Sequence, residues 1–437
     1  MSRKRVVVIG GGAAGMMAAG RAAEAGAEVL LLEKMERPGR KVLISGNRRC
    51  NLSNALPMDD FISMFGKNGS FLYPVFRHFS RDALLDFLAF RGVMTRQEPD
   101  GRIFPASGRS SDVVEALRQY MADQGVKVAV RSRVTMIEAQ RGRITAVKAS
   151  GKSYTADAVV LASGGASYPQ TGSSGDGYKL AATLGHRIVK LRPALVPLVT
   201  SGQAAGNLQG SSLKAVRITS FSCRAADIEP SLIPIQDCGR GIGGRKARPP
   251  LLESRTGDLI FTHYGISGPA VLLMSLAVVD ALENGPVALT IDLFPVKPLK
   301  DMQRQLQKTF SLYGRRTLQN VLGTLVPDKL AGAVLNAADV DGRIKANQAA
   351  SSDREQISRG LKDFRLDVKG VRPLAEAMVT AGGICLDEVD PHTMESRLVK
   401  GLYFCGEVLD LDADTGGFNL QAAFSTGCLA GDSASRP

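Results

Sequence analysis

The residues that could do chemistry begin at a glycine turn. Gly10, Gly12 and Gly15 lie in VVVIGGGAAGMMAAG, and an acid, Glu33, closes the next apolar run. Glycine at these positions permits a tight turn, close approach of backbone N–H groups to a pyrophosphate, and close packing of a helix on a strand. The acid suits the ribose hydroxyls of an adenosine, and Ala13, Ala14 and Lys34 complete the contacts expected of a dinucleotide. A second set stands in the tail. Gly401 to Cys405 reads as a strand ending in Gly406 and Glu407, the place for a ribityl chain. Gly417, Phe418, Asn419 and Leu420 then open a closing helix. Its N-terminus would favour the negative charge that gathers on the pyrimidine edge of a flavin during reduction. Between the two sets, TADAVVLASGG runs as a buried strand into Ala162, Ser163 and Gly164, at the carboxyl end where open α/β sheets bind ligands. Together these residues predict FAD and hydride transfer.

Positioning them requires a βαβ unit at the start of the chain and a strand and helix at its end. The polar stretch ERPGRKVLISGNRRCNLSN (36–54) reads as a loop over the cofactor, with a short helix around Lys41 to Ser45. It offers Arg40, Lys41, Ser45, Asn47, Cys50 and Asn51 as cofactor contacts; Cys50 either faces the flavin or fills space. SSDVVEALRQYMADQG is a helix by the spacing of Val113, Val114, Leu117 and Met121, with Asp112 or Ser111 as its cap and Gly125 at its end. VKVAVRSRVTMIEA and RITAVKAS alternate as strands, with Val134 near the cofactor. The predicted fold is α/β: a discontinuous Rossmann-like FAD-binding domain from residues 1–191 and 370–437. Residues 192–296 read as an inserted β-rich domain, and the amphipathic pieces of 297–369 as a small helical subdomain.

A chain of 437 residues with 44% hydrophobic and 22% charged residues suits two or three globular domains. The run 270–279 ends at Asp280, short of the ~20 residues of a membrane span. Arg3, Lys4 and Arg5 before an apolar run resemble a secretory signal, but three glycines break that run, and a cytoplasmic chain starting at Met1 or Ser2 is expected. Six scattered cysteines, without CxxC or histidine at metal-ligand spacing, fit a reducing cytosol and argue against a metal site and a dithiol flavin mechanism. The net charge of +13 raises the question of nucleic acid. The basic clusters, such as Arg48/Arg49, Arg245/Lys246/Arg248 and Arg315/Arg316, lack interleaved aromatics, and a solvated basic surface is the simpler reading. Segment 229–250 is rich in proline, glycine and cations and reads as a surface loop.

The motifs GGGAAG, SGNRRCNLSN (45–54), FPASGRSSDVV (104–114), ASGGASYPQTGSSGDGY (162–178), FTHYGISGP (261–269), VTAGGI (379–384) and the long tail segment 393–427 resemble one bacterial family. These are the BaiN-type flavoproteins, also described as HI0933-like or aminoacetone-oxidase-like. The resemblance implies an NAD(P)/FAD-dependent oxidoreductase whose FAD domain is built from both chain ends and carries a β-barrel-like insertion and a helical piece. One departure stands out: the family usually has glycine where Arg48 precedes Arg49, Cys50 and Asn51. That added guanidinium would favour an anionic substrate if it points inward. Only one glycine fingerprint is present, so NAD(P)H is expected to visit, reduce the flavin at N5 and leave, after which an electron-poor small molecule such as a conjugated enone is reduced. His263 is the candidate proton donor and Tyr264 the second choice, on a predicted strand-to-helix turn, although a hydrogen-bonded turn role serves His263 equally well. His78, His186 and His392 have no supporting context. A flavoprotein oxidase using oxygen and a flavin-dependent RNA-modifying protein are the alternatives.

Overall fold

The strand Arg5–Ile9 (β1), RVVVI, buries four consecutive apolar residues, as a parallel sheet covered on both faces demands. It is the middle strand of five. With Glu28–Leu32 (β2), Lys127–Ala129 (β3), Ala158–Leu161 (β4) and Leu402–Phe404 (β5), it forms a parallel sheet in the order β5-β4-β1-β2-β3. Val7 pairs with both Val159 and Leu30, and Val160 with Tyr403, so the two ends of the chain share one sheet. This computed structural model describes residues 3–233, 237–238 and 250–436; Arg245, Lys246 and Arg248 of the basic segment lie outside the described residues.

Four helices matter for the site: Ala13–Glu24 (α1), Arg40–Ile44 (α2), Ser110–Asp123 (α3) and Phe418–Ser435 (α4). Helix α1 is made of small residues and is buried along most of its length. Helix α4 packs on it through glycines: a Cβ at Gly427 would stand 2.3 Å from the carbonyl oxygen of Ala14, and one at Gly431 2.4 Å from that of Ala18. Backbone contact this close needs residues without side chains on one partner. The predicted cap of α3 is corrected. Arg109 is its N-cap without a side-chain bond, because Asp112 turns to Ser107 Oγ (2.7 Å) and to the Arg109 guanidinium.

Two compact units result, Met1–Pro193 with Leu374–Pro437, and Ala194–Pro373. In the second, strands Leu198–Thr200, Gly265–Ser267, Leu251–Thr262, Ser212–Phe221, Val287–Asp292 and Phe364–Val371 close into an antiparallel barrel in that order. The barrel-like insertion implied by the resemblance is thus present. The helices Leu299–Leu312, Asp328–Ala337 and Ser351–Lys362 share its apolar core, in which Leu289 and Ile291 of the barrel cluster with Leu306, Val334 and Ile357. The strand Phe364–Val371 closes the barrel, so the last residues assigned by sequence to the helical piece are barrel residues: their alternating burial follows a strand period.

Gly427→Ala is expected to destabilise the protein by about 2 kcal/mol through overpacking. The same change at Gly285, where an added Cβ meets nothing within 4 Å, should stay within about 0.5 kcal/mol. Urea midpoints of the two variants check this.

Candidate functional site

Because the sheet is parallel, the carboxyl ends of β1, β2, β4 and β5 deliver Gly10, Glu33, Ala162 and Gly406 to one edge. Gly10 has φ 101° and donates its N–H to the Leu32 carbonyl (2.9 Å). A Cβ on Gly10 would lie 2.5 Å from the Ala162 carbonyl oxygen, and one on Gly15 1.9 Å from that of Gly10. Both glycines are required by the protein's own packing. Gly12 is different: nothing lies within 4 Å of its would-be Cβ, and α1 starts there, at Ala13 and Ala14, with no capping side chain and no acid in its first turn. An uncapped helix start beside open space suits an anionic ligand. Glu33 is 8% exposed and accepts the N–H groups of Gly11 and Met35, each at 2.7 Å. A carboxylate has room for about four donors, so acceptor capacity remains for hydroxyl groups.

Glu407 organises the opposite side. Its carboxylate pairs with Lys41 (2.6 Å) and accepts from Ser167 Oγ (3.2 Å) and the Thr380 N–H (3.0 Å), while Lys41 also reaches Ser167 Oγ (2.8 Å). Thr380 Oγ1 in turn accepts the N–H groups of Ala166 and Ser167, holding the turn after Ser163 and Gly164. Gly406, at φ 76°, donates to Thr426 Oγ1 of α4 (3.0 Å). Lys34 pairs with Asp176 (2.9 Å), as does Arg133 (2.9 Å). Burial pushes the Asp176 carboxyl up, but the hydrogen bonds from Lys34 and Arg133 outweigh it and bring the pKa down to about 2. Ser167, Asp176 and Thr380 were missed by the sequence reading, although all three stand within motifs that it singled out.

The loop 45–51 is an unusual run of left-handed backbone: Gly46, Asn47, Arg48 and Cys50 have φ of 55°, 55°, 65° and 60°. Ser45 Oγ closes the end of α2 on the Val42 carbonyl (2.7 Å), and the Cys50 N–H returns to the Ser45 carbonyl (3.0 Å). With the Asn51 amide assigned the orientation that satisfies both of its ends, it donates to the Ser53 carbonyl (3.2 Å) and accepts the Gly417 N–H (3.0 Å), stitching this loop to the start of α4. A Cβ on Gly417 would sit 2.3 Å from the Ser53 oxygen, so glycine is needed at that junction. Asn419 brackets Ala413 with bonds to its N–H (3.0 Å) and carbonyl (2.9 Å), and the Phe418 ring meets Phe61 edge-on at 4.8 Å. Leu420 is half-buried in the next turn.

The remaining predicted residues are placed as follows. Cys50 is fully buried in the core, and burial pushes its thiol up to about 12 against a lowering bond with Ser45, so it fills space. Val134 is buried at the start of the hairpin formed with Arg143–Ala149. Asn47 is exposed, and Arg40 is paired with Glu36 and with the Gln170 carbonyl. His263 and Tyr264 form the two-residue tip of a barrel hairpin, since Thr262 pairs with Gly265; they are not on a strand-to-helix turn. The His263 side chain is exposed, and its ring meets that of Tyr264 edge-on at 4.8 Å. His186, left without context by the sequence, is a buried cross-link between Glu388 (3.1 Å) and Ser396 (2.9 Å).

The open Gly12 cradle, the remaining acceptor capacity of Glu33 and the glycine junction at α4 make a donor and acceptor set that fits FAD. The fold is of the Rossmann-type FAD-binding kind. The HI0933-like protein Rossmann domain matches residues 4–433. The 3-dehydro-bile acid delta(4,6)-reductase of Clostridium scindens is 31% identical over 98% of both chains. The ribosomal RNA dihydrouridine synthase of Escherichia coli K12 is 28% identical over 98% of this chain and 96% of its own. Among solved structures, 3-ketosteroid delta1-dehydrogenase from Sterolibacterium denitrificans shares the fold, with a TM-score of 0.52 at 15% identity over 98% of this chain and 99% of that one. Among the described residues no helix is long and apolar enough to cross a membrane.

Since the Asp176 carboxyl is held below its unfolded value of about 3.9, the stability it contributes is present above that pH and is lost as pH falls towards about 2. Asp176→Asn should flatten this acid limb, read from urea midpoints between pH 5 and pH 2. Native protein at pH 8 should leave Cys50 unalkylated by iodoacetamide, as peptide mapping would show.

Proposed function

The chain belongs to the HI0933-like family, and from that premise we propose that it is an FAD-dependent reductase of a carbon–carbon double bond conjugated to a carbonyl group, with NAD(P)H as hydride donor. The observation that carries this reading is the cradle at Gly12, open to a ligand and flanked by groups from both chain ends. The names of the relatives support the acceptor chemistry: a 3-dehydro-bile acid with Δ4,6 unsaturation and a uridine ring share a double bond polarised by a carbonyl. FAD, held by the residues around this cradle, would supply the hydride-transfer chemistry that the reduction needs.

The chain's own groups hold and orient. In this assignment the N–H groups at the start of α1, around Gly12, Ala13 and Ala14, take the pyrophosphate, and Glu33 takes the adenosine ribose. Glu407, whose carboxylate is taken up by Lys41, Ser167 and the N–H groups of Gly165 and Thr380, fixes the Gly406 turn beside which the ribityl chain would run. Ala162 to Gly164 line the sheet edge between them. The start of α4 from Gly417 to Leu420, held by Asn51, favours the charge that builds up on reduction. A lone glycine fingerprint makes NAD(P)H a transient visitor. The acceptor is assigned to small molecules; a second reading, a uridine of RNA, is favoured by the net charge of +13 and the Escherichia coli relative.

Anaerobic mixing with NADH and NADPH should bleach the flavin absorbance band with at least one of them, and no bleaching with either removes nicotinamide from the scheme. Addition of a 3-oxo-Δ4 steroid acid or of unmodified ribosomal RNA should then restore the band, and the one that does identifies the acceptor class. A Cβ at Gly12 meets nothing within 4 Å, so the side chain of Gly12→Val should project into the cradle. This variant should keep the apoprotein within about 0.5 kcal/mol of wild type while abolishing FAD retention. A yellow Gly12→Val protein would refute the cofactor assignment.

A further inference from the structure

Most cations around the candidate site face a carboxylate. Lys34 pairs with Asp176, Arg40 with Glu36, Lys41 with Glu407 and Arg49 with Glu98. Arg48 does not: its side chain is exposed, and among the described residues its guanidinium has no ionic or hydrogen-bonding partner. Its backbone sits at φ 65°, a conformation that strains a residue with a long side chain. The chain around it is nevertheless fixed. The Ser110 N–H donates to the Arg48 carbonyl (2.9 Å), Arg49 is pinned to Glu98 (2.9 Å) and stacked over Phe104 at 4.0 Å, and Cys50 is buried. Three residues on, Asn51 holds the Gly417 N–H at the start of α4.

A cation with an anchored base and an unpaired head gives up little backbone freedom when it binds. Guanidinium forks onto carboxylate and phosphate oxygens in a way that ammonium cannot. We infer that Arg48 selects the acceptor by charge, binding an oxyanion, carboxylate or phosphate, that the reducible substrate carries. This deepens the reductase reading and rests on it.

The test uses oxidised FAD-bound protein, titrated calorimetrically with two matched pairs: 3-oxo-4-cholenoate against its methyl ester, and uridine 5′-monophosphate against uridine. In at least one pair the anion should bind about tenfold more tightly or better, the scale of a charge-assisted hydrogen bond. The pair that responds separates carboxylate from phosphate. In Arg48→Gly the preference should fall to near unity, and Arg48→Lys should keep part of it. Glycine suits the left-handed backbone, so Arg48→Gly should retain wild-type Tm and FAD content. Equal binding of both members of each pair by the wild type, or a preference that survives in Arg48→Gly, overturns the inference. So does loss of FAD from Arg48→Gly, which would make Arg48 a cofactor ligand. A wild-type protein that takes up no FAD sinks the reductase reading and this inference together, whereas a yellow protein without anion preference sinks this inference alone.

Discussion

Contact between α1 and α4 is the constraint on which the rest depends. Helix α1 carries the glycine turn of the first strand, and α4 follows the last strand; they can share one side of the sheet only because Gly427 and Gly431 let their backbones meet Ala14 and Ala18. If the helices stood further apart, Gly406 would leave Ala14, whose Cβ would lie 2.9 Å from a Cβ at Gly406. The two halves of the site would then part. Sheet register works towards the same end, since β4 pairs with β1 on one side and with β5 on the other.

What could be read in the sequence was what short-range chemistry fixes. The glycine turn, the acid after the second strand, the buried strand before Ser163 and the glycine junction of the closing helix each have a local reason, and each lies where the residues implied. Pairings across the chain were not readable. Lys41 and Glu407 are separated by 366 positions, and Thr380 reaches the turn after Gly164 from a strand that pairs with Ile188–Ala194 and stands outside the main sheet. Asp112 looked like a cap because its position fits one, but a serine and an arginine nearby compete for the same carboxylate. The hairpin at His263 was missed for a related reason: Pro269 announces a helix, yet three residues of strand, Gly265–Ser267, intervene.

The distribution of charge also changes meaning once partners are known. A net charge of +13 suggests a uniformly basic surface, yet most cations around the site are spent on carboxylates that hold loops in place. The pairs Lys34–Asp176 and Lys41–Glu407 tie the loop after β2 and the helix α2 to segments that follow β4 and β5. Positive charge there is used structurally before any ligand arrives.

The placement of β5 at one edge of the main sheet also has a consequence for biosynthesis. Its partner β4 leaves the ribosome more than two hundred residues earlier, and β1 earlier still. At about 5–20 residues per second, the nascent chain would wait roughly 20–80 s between the emergence of its first strand and its last. During that interval the edge of β4 that β5 will cover stays unpaired, an invitation to misassembly that chaperones would have to shield. The barrel strands, by contrast, are all translated before β5, so the inserted unit has its whole sequence available while the nucleotide-binding sheet is still waiting for its final strand.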